Sequence, residues 1–344
     1  MRQKWHLFIS LGLTLLLVFV IYHQVADWQQ AGKVMIAANP FFLILAVASV
    51  MLHIWIRAMR WSLLLSPAKH GLSLKTFFSF TVIKYFVNLI PPRAGEIAAS
   101  VLLARKANVS AAYVIATSVL ERMLDLVTLI ALAGVYLIFF AHQYLPKSHE
   151  GKEILLALQN YSVKALAVSA IVLIALWLFL RKRHRGINWT RTPRFIGQFL
   201  DGFRVLHEGS TLVRAILLSI GIWLAIASQT WFSMRAYLEH FPYSGSLLLT
   251  VITAMGVAIP TPGGIGGFQY FMSLGLVHFF SAYMVSSDLY AEAAGISNGA
   301  YLSGMLPLFI IGFFLINSEE LSLRTLIAIN RISPDPDTPE PASN

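Results

Sequence analysis

Glu121, Arg122 and Asp125 are ionisable residues set inside a long apolar run, residues 111–140. A charge near the centre of a membrane span costs at least ~2.5–3.5 kcal/mol on insertion scales, so such side chains face the protein interior and pair. Glu121 and Asp125 lie one helical turn apart on one face, with Arg122 beside them. Carboxylates placed this way can lock one helix to another, or take part in substrate and proton handling; both readings stand at this point. Their nearest counterparts are Arg93 and Glu96, with Lys84 a turn or two away. Set as Arg93, Arg122 and Lys84 against Glu96, Glu121 and Asp125, the charges balance three to three.

A second kind of chemistry sits in two interruptions. Ile259-Pro260-Thr261-Pro262-Gly263-Gly264-Ile265-Gly266-Gly267 holds two prolines and four glycines in nine residues and cannot continue an α-helix. Ile90-Pro91-Pro92-Arg93-Ala94-Gly95-Glu96 is a similar break earlier in the chain. At bilayer depth, broken backbone survives only when buried in protein or lining a polar cavity. Each break starts a new half-helix, near Gly95 and near Gly267, whose N-terminus carries about half a positive charge and free N–H donors. Two such ends facing each other form an anion site, most simply for a phosphate. Arg93 adds a guanidinium fork suited to phosphate or carboxylate. Glu96, beside a half-helix N-terminus, is the sharpest candidate for a carboxylate that changes protonation as an anion enters or leaves.

The elements that must position these residues are membrane spans. Apolar residues make up 57% and charged residues 12% of the chain, with a mean hydropathy of +0.68, which excludes a soluble globule. The formal charge of +10 lies mostly in loops and reports orientation and lipid contact, not nucleic acid. Cysteine is absent, which excludes disulfides, zinc clusters and thiol catalysis. The ten histidines show no metal-ligand spacing, and no nucleotide motif appears, so no cofactor is expected.

Residues 7–21 read as a retained first helix with a cytoplasmic start, followed by a connector over 29–39. A second span, 41–65, ends in Arg57, Arg60 and Lys69, taken as cytoplasmic orientation markers. Basic residues bracket 75–106, which predicts a re-entrant hairpin around the first break. The span 111–140 leads to an external loop, 143–159, and a returning span, 163–180. A basic cytoplasmic segment covers 181–210, with an interfacial amphipathic helix in its second half. Span 212–232, a second hairpin around 247–282 and a last span, 290–316, follow, so both termini are cytoplasmic. The expected fold is an all-α polytopic membrane protein, one transmembrane domain over 1–317 with a partly disordered tail, 318–344. Within it, units 41–140 and 212–316 read as an inverted-topology repeat with two re-entrant broken-helix hairpins, the architecture of secondary transporters.

Asn88-x-x-Pro91-x-Arg93-x-Gly95-Glu96, Glu121-Arg122-x-x-Asp125 and Pro260-Thr261-Pro262-Gly263-Gly264-x-Gly266 together resemble the lysylphosphatidylglycerol synthase transmembrane family. The resemblance covers about residues 41–316. It implies movement of a lipid, anionic or aminoacylated, between leaflets of a bacterial cytoplasmic (inner) membrane. Two positions depart from the family pattern. Ser100 stands where a basic residue is common, and Gln269 where Glu is common, which puts proton coupling through that position in doubt. The aminoacyl-transferase domain of fused members has no counterpart here.

The predicted substrate-binding set is Arg93, Gly95, Glu96, Glu121, Arg122, Asp125, Pro262, Gly263, Gly264, Gly266, Gly267 and Gln269, with Lys84 as a supporting charge. The leading expectation is a non-enzymatic flippase. The alternatives are a membrane-embedded transferase acting on a lipid-linked substrate and a non-catalytic partner of a lipid-synthesis enzyme docked on the Arg181–Arg194 cluster.

Overall fold

The computed structural model describes residues 2–68, 71–89, 94–140, 194–203, 205 and 209–318, with 153 and 167 as single positions. The described elements are helices. α1 (Arg2–Gln24) is the expected first helix. The predicted connector behind it is itself helical: Asp27 caps α2 (Trp28–Ile36) by accepting from the Gln30 N–H at 2.9 Å. α1 and α2 meet at a bend of 98°. α3 (Pro40–Leu65) opens with Asn39 as its cap and Pro40 in the first turn, where the missing donor costs nothing. There follow α4 (Leu74–Val87), α5 (Ala94–Ala107), α6 (Ala111–Phe139), α7 (Arg194–Asp201), α8 (Gly209–Arg235), α9 (Tyr243–Ala258), α10 (Gly267–Phe279) and α11 (Leu289–Ser318).

α3, α6, α8 and α11 are long and apolar enough to cross a bilayer. The polarity is that of a protein in lipid. Leu126 and Phe314 are 59% and 66% exposed, whereas Arg60 and Glu121 are 0% and 1% exposed. The chain is an all-α polytopic membrane protein. The helices flanking each break have 14 and 14 residues in the first case and 16 and 13 in the second. At 1.5 Å per residue each reaches only about 20–24 Å, short of a ~30 Å hydrocarbon core.

The packing has an internal correspondence. α3 packs along α8, and moving five helices along the chain relates the other contacts. Thus α3 on α4, α4 on α5 and α5 on α6 match α8 on α9, α9 on α10 and α10 on α11. Crossed contacts match too: α11 packs on α4 as α6 packs on α9, and α11 on α2 as α6 on α7. Even a polar bond recurs, since Ser100 and Ser118 join α5 to α6 at 2.8 Å, and Ser273 and Ser297 join α10 to α11 at 3.2 Å. Each half has its own apolar core. One is built around Trp61, Phe77, Phe80 and Leu103, the other around Phe241, Leu248, Leu276 and Phe280.

Both hairpins close on glycine. A Cβ at Gly95 would overlap the Lys84 carbonyl, and Gly256 and Gly267 lie backbone against backbone. Outside the breaks, Gly312 admits Phe86 where α11 meets α4. α7 carries the expected amphipathic helix onto α6, with the Ser110 hydroxyl donating to Gln198 Oε1 at 2.7 Å. The predicted loop over 143–159 (apart from Glu153), the span over 163–180 (apart from Ala167), the basic run 181–193 and the tail beyond Ser318 lie outside the described residues.

Candidate functional site

The carboxylates of α6 are paired, by partners drawn mainly from α3. Asp125 accepts from Arg57 Nη1 at 2.8 Å and from Arg60 Nη1 at 2.7 Å. Glu121 takes Lys84 Nζ at 3.1 Å and faces Arg60 Nη2 at 3.6 Å. Arg60 also donates to the Ser219 hydroxyl of α8 at 2.7 Å, so one guanidinium ties α3, α6 and α8 together. Lys84 lies over the Trp61 ring, 4.6 Å from its centroid. Trp61 is fixed in turn by donating its Nε1 proton to Thr117.

These contacts correct the reading of Arg57 and Arg60. They are not cytoplasmic markers: their side chains are 7% and 0% exposed. Their i, i+3 spacing puts both on the inner face of α3, matched to the i, i+4 carboxylates of α6, while the neighbouring Trp55 and Met59 face outward, each 40% exposed. Sequence position near a span end had suggested loop charges. The same residues at helical spacing, with His53 one turn before, were the signal for a buried face.

The expected partners on the hairpin are present too. Arg122 Nε bonds Glu96 Oε1 at 3.2 Å, and its Nη1 lies 3.4 Å from Asp125 Oδ2. This end of the cluster is open, with side chains of Arg122 and Glu96 43% and 31% exposed. The expected balance of three against three changes: four cations (Arg57, Arg60, Lys84, Arg122) meet three carboxylates (Glu96, Glu121, Asp125) among the described residues. Arg93 lies outside the described residues.

One turn above Lys84, the two breaks meet. The Gly263 N–H donates to the Asn88 carbonyl at 3.1 Å, and the Asn88 side-chain oxygen accepts the Gly95 N–H at 2.9 Å. Asn88 therefore joins the first tip to the second through a single residue. Tyr301 of α11 donates its hydroxyl to the Gly263 carbonyl at 2.9 Å. Gly263, Gly264 and Gly266 have φ of 59°, 78° and 84°, a left-handed region that glycine enters without steric cost. Pro262 opens the short turn Pro262–Gly264 ahead of them.

The half-helix ends are less open than expected. Gly95 is capped by Asn88, and the Gly266 N–H donates to Gln269 Oε1 at 2.8 Å. A buried helix start cannot leave its donors to water, so side chains take them. Gln269 thus holds the second tip from within. Thr261, 4% exposed, keeps a hydroxyl with no hydrogen-bond partner among the described residues. The Ser100 hydroxyl bonds the Ser118 hydroxyl and the Glu96 carbonyl. Asn88 and Ser219 were absent from the predicted site. Asn88 stood in the first motif, but its two-sided bonding depends on a contact across 175 positions of sequence.

The family model for the lysylphosphatidylglycerol synthase TM region matches residues 7–287. The chain belongs to this family. The matched region starts earlier than the motifs implied, taking in α1, and stops just before α11. All three motifs of the lysylphosphatidylglycerol synthase transmembrane family fall inside it. A UPF0104 membrane protein of Pyrococcus horikoshii is 27% identical over 284 residues, covering 77% of this chain and 84% of the relative.

Proposed function

We propose that this family member is a non-enzymatic lipid transporter that moves an anionic or aminoacylated phospholipid between the leaflets of a bacterial cytoplasmic membrane. The observation that supports it most is the junction of the two breaks at Asn88 and Gly263, set one turn from a buried charge cluster. In this reading α4–α5 and α9–α10 are re-entrant hairpins of an inverted repeat, entering from opposite leaflets, with both termini cytoplasmic. Short half-helices, matched packing and broken backbone held in protein all favour that geometry. Every carboxylate in the cluster is engaged by a guanidinium or an ammonium, a poor setting for the general acid–base chemistry of a transferase.

Vesicles reconstituted with the protein and a fluorescent phosphatidylglycerol test this by the rate at which dithionite reaches inner-leaflet label. The protein accelerates that rate. Asn88→Ala slows it severalfold, while loss of one helix cap costs only about 1–2 kcal/mol of stability. Unaccelerated movement of anionic, aminoacylated and isoprenoid lipids alike would rule the transport reading out.

A further inference from the structure

We infer that Arg235, held between the rings of Phe42 and Trp231, binds the phosphate of a resident glycerophospholipid at the membrane edge where α3 begins and α8 ends. Ser219, which meets the charge cluster, lies about 24 Å away along α8 at 1.5 Å per residue. The site is therefore separate from that cluster, and it holds whether or not lipid crosses at the junction of the breaks.

The arginine argues first. Its guanidinium carbon lies 5.2 Å from the centroid of the Phe42 ring and 6.0 Å from that of Trp231. Ring contacts of this kind hold the cation but satisfy none of its N–H donors. The half-buried side chain makes no hydrogen bond or ion pair among the described residues, and its Nε is buried without a partner. An unpaired guanidinium at the end of an apolar span matches the phosphate of a lipid, which offers one negative charge and two free oxygens to the fork.

The seat is built in advance. Trp231 donates its Nε1 proton to the Phe241 carbonyl at 3.0 Å, and its ring meets Tyr243 edge-on at 5.8 Å. The Asn39 N–H donates to the Ala236 carbonyl at 2.8 Å, which fixes the first turn of α3, and with it Phe42, against the end of α8. A ligand arriving here orders little that is not already ordered.

The surface below argues third. Leu217, Ile220 and Leu224 form one outward stripe of α8, and the same stripe continues at helical spacing through Ser228 and Trp231 to Arg235. Leu224 lies about 16 Å below Arg235, close to half of a ~30 Å hydrocarbon core. Apolar side chains, then a hydroxyl and an indole, then a cation follow the profile of one phospholipid in one leaflet. Bound there, the lipid bridges α3 and α8, the spans along which the two halves of the chain pack.

The test uses the full chain purified in detergent and counts bound lipid by native mass spectrometry. Short-chain phosphatidylglycerol, phosphatidylcholine and diacylglycerol are titrated separately, with inorganic phosphate as a competitor. Arg235→Gln raises the Kd for phosphatidylglycerol at one site roughly tenfold, as loss of a charge-assisted hydrogen bond does. It weakens phosphatidylcholine as well, because the phosphate is shared. Diacylglycerol, which lacks the phosphate, binds both proteins alike. Phe42→Leu keeps an apolar side chain and removes the ring, and weakens both phospholipids severalfold. Equal phospholipid affinity in wild type and Arg235→Gln overturns the site, and so does an equal loss for diacylglycerol. Displacement of the lipid by inorganic phosphate at matched concentration overturns its assignment to a lipid. If Arg235→Gln melts earlier than wild type without lipid, Arg235→Lys and Phe42→Leu decide: wild-type phospholipid affinity in both overturns the site.

Discussion

Arg60→Met destabilises the protein by about 3–5 kcal/mol, the loss expected when one partner of a buried ion pair is removed. The cost is high because Arg60 serves three groups at once: Asp125 at 2.7 Å, Ser219 at 2.7 Å and Glu121 at 3.6 Å. Its side chain is fully buried, so no water replaces what it gave. Methionine fills much of the volume but leaves Glu121 on Lys84 alone and strips Asp125 of its shortest partner, leaving it Arg57 at 2.8 Å and Arg122 at 3.4 Å. The second substitution Asp125→Asn removes the carboxylate that lost this partner, so the double variant is more stable than the sum of the single losses predicts, by more than about 1 kcal/mol. Denaturation in mixed micelles measures both numbers. A loss below about 1 kcal/mol for Arg60→Met would put the pair in the class of weak, solvent-screened bridges.

Gly95→Ala and Gly267→Ala are expected to be among the most damaging single-methyl additions at the described glycines. At each site the new Cβ meets backbone, the Lys84 carbonyl in one case and Gly256 in the other, and backbone cannot swing aside as a side-chain end can. Overpacking of this kind costs about 1–3 kcal/mol, and here it forces apart the two arms of a hairpin. Two controls separate space from conformation. At Gly264 the nearest atoms are Val257 methyls at 3.8 Å, so Gly264→Ala pays mainly for its φ of 78°, about 1–2 kcal/mol. At Gly12 nothing lies within 4 Å, and Gly12→Ala is neutral or slightly stabilising. The thermal midpoints should order as Gly12→Ala, Gly264→Ala, then the two hairpin variants. Lipid movement should fail in the last pair. A Gly95→Ala protein with wild-type midpoint would mean that the arms do not cross where the structure has them.

The breaks were legible because proline and glycine act locally. Pro260-Thr261-Pro262-Gly263-Gly264 cannot continue an α-helix, and only a short 3-10 turn over Pro262–Gly264 forms there. The carboxylate face of α6 was legible from spacing alone, and so were the Lys84–Glu121 and Arg122–Glu96 contacts. Arg57 and Arg60 were misread because the positive-inside rule counts charges by distance from a span end. α3 runs on to Leu65 and packs along α8, which buries the face that carries both. No rule of local sequence says that a helix end will be covered by a span 150 residues later. The capping roles of Asn88 and Gln269 belong to the same class. Periodicity marks a polar residue in an apolar run, but only tertiary contact decides whether it meets a ligand or a neighbouring N–H.

The absence of cysteine permits a direct test of where lipid passes. Leu89→Cys and Pro262→Cys place one thiol on each tip, beside the Asn88–Gly263 hydrogen bond. A short bifunctional thiol reagent then ties the tips together in reconstituted vesicles. If the pathway runs through this junction, labelled phosphatidylglycerol stops crossing once the bridge forms and resumes when a reductant cleaves it. Crossing at an undiminished rate through fully bridged protein would contradict the account.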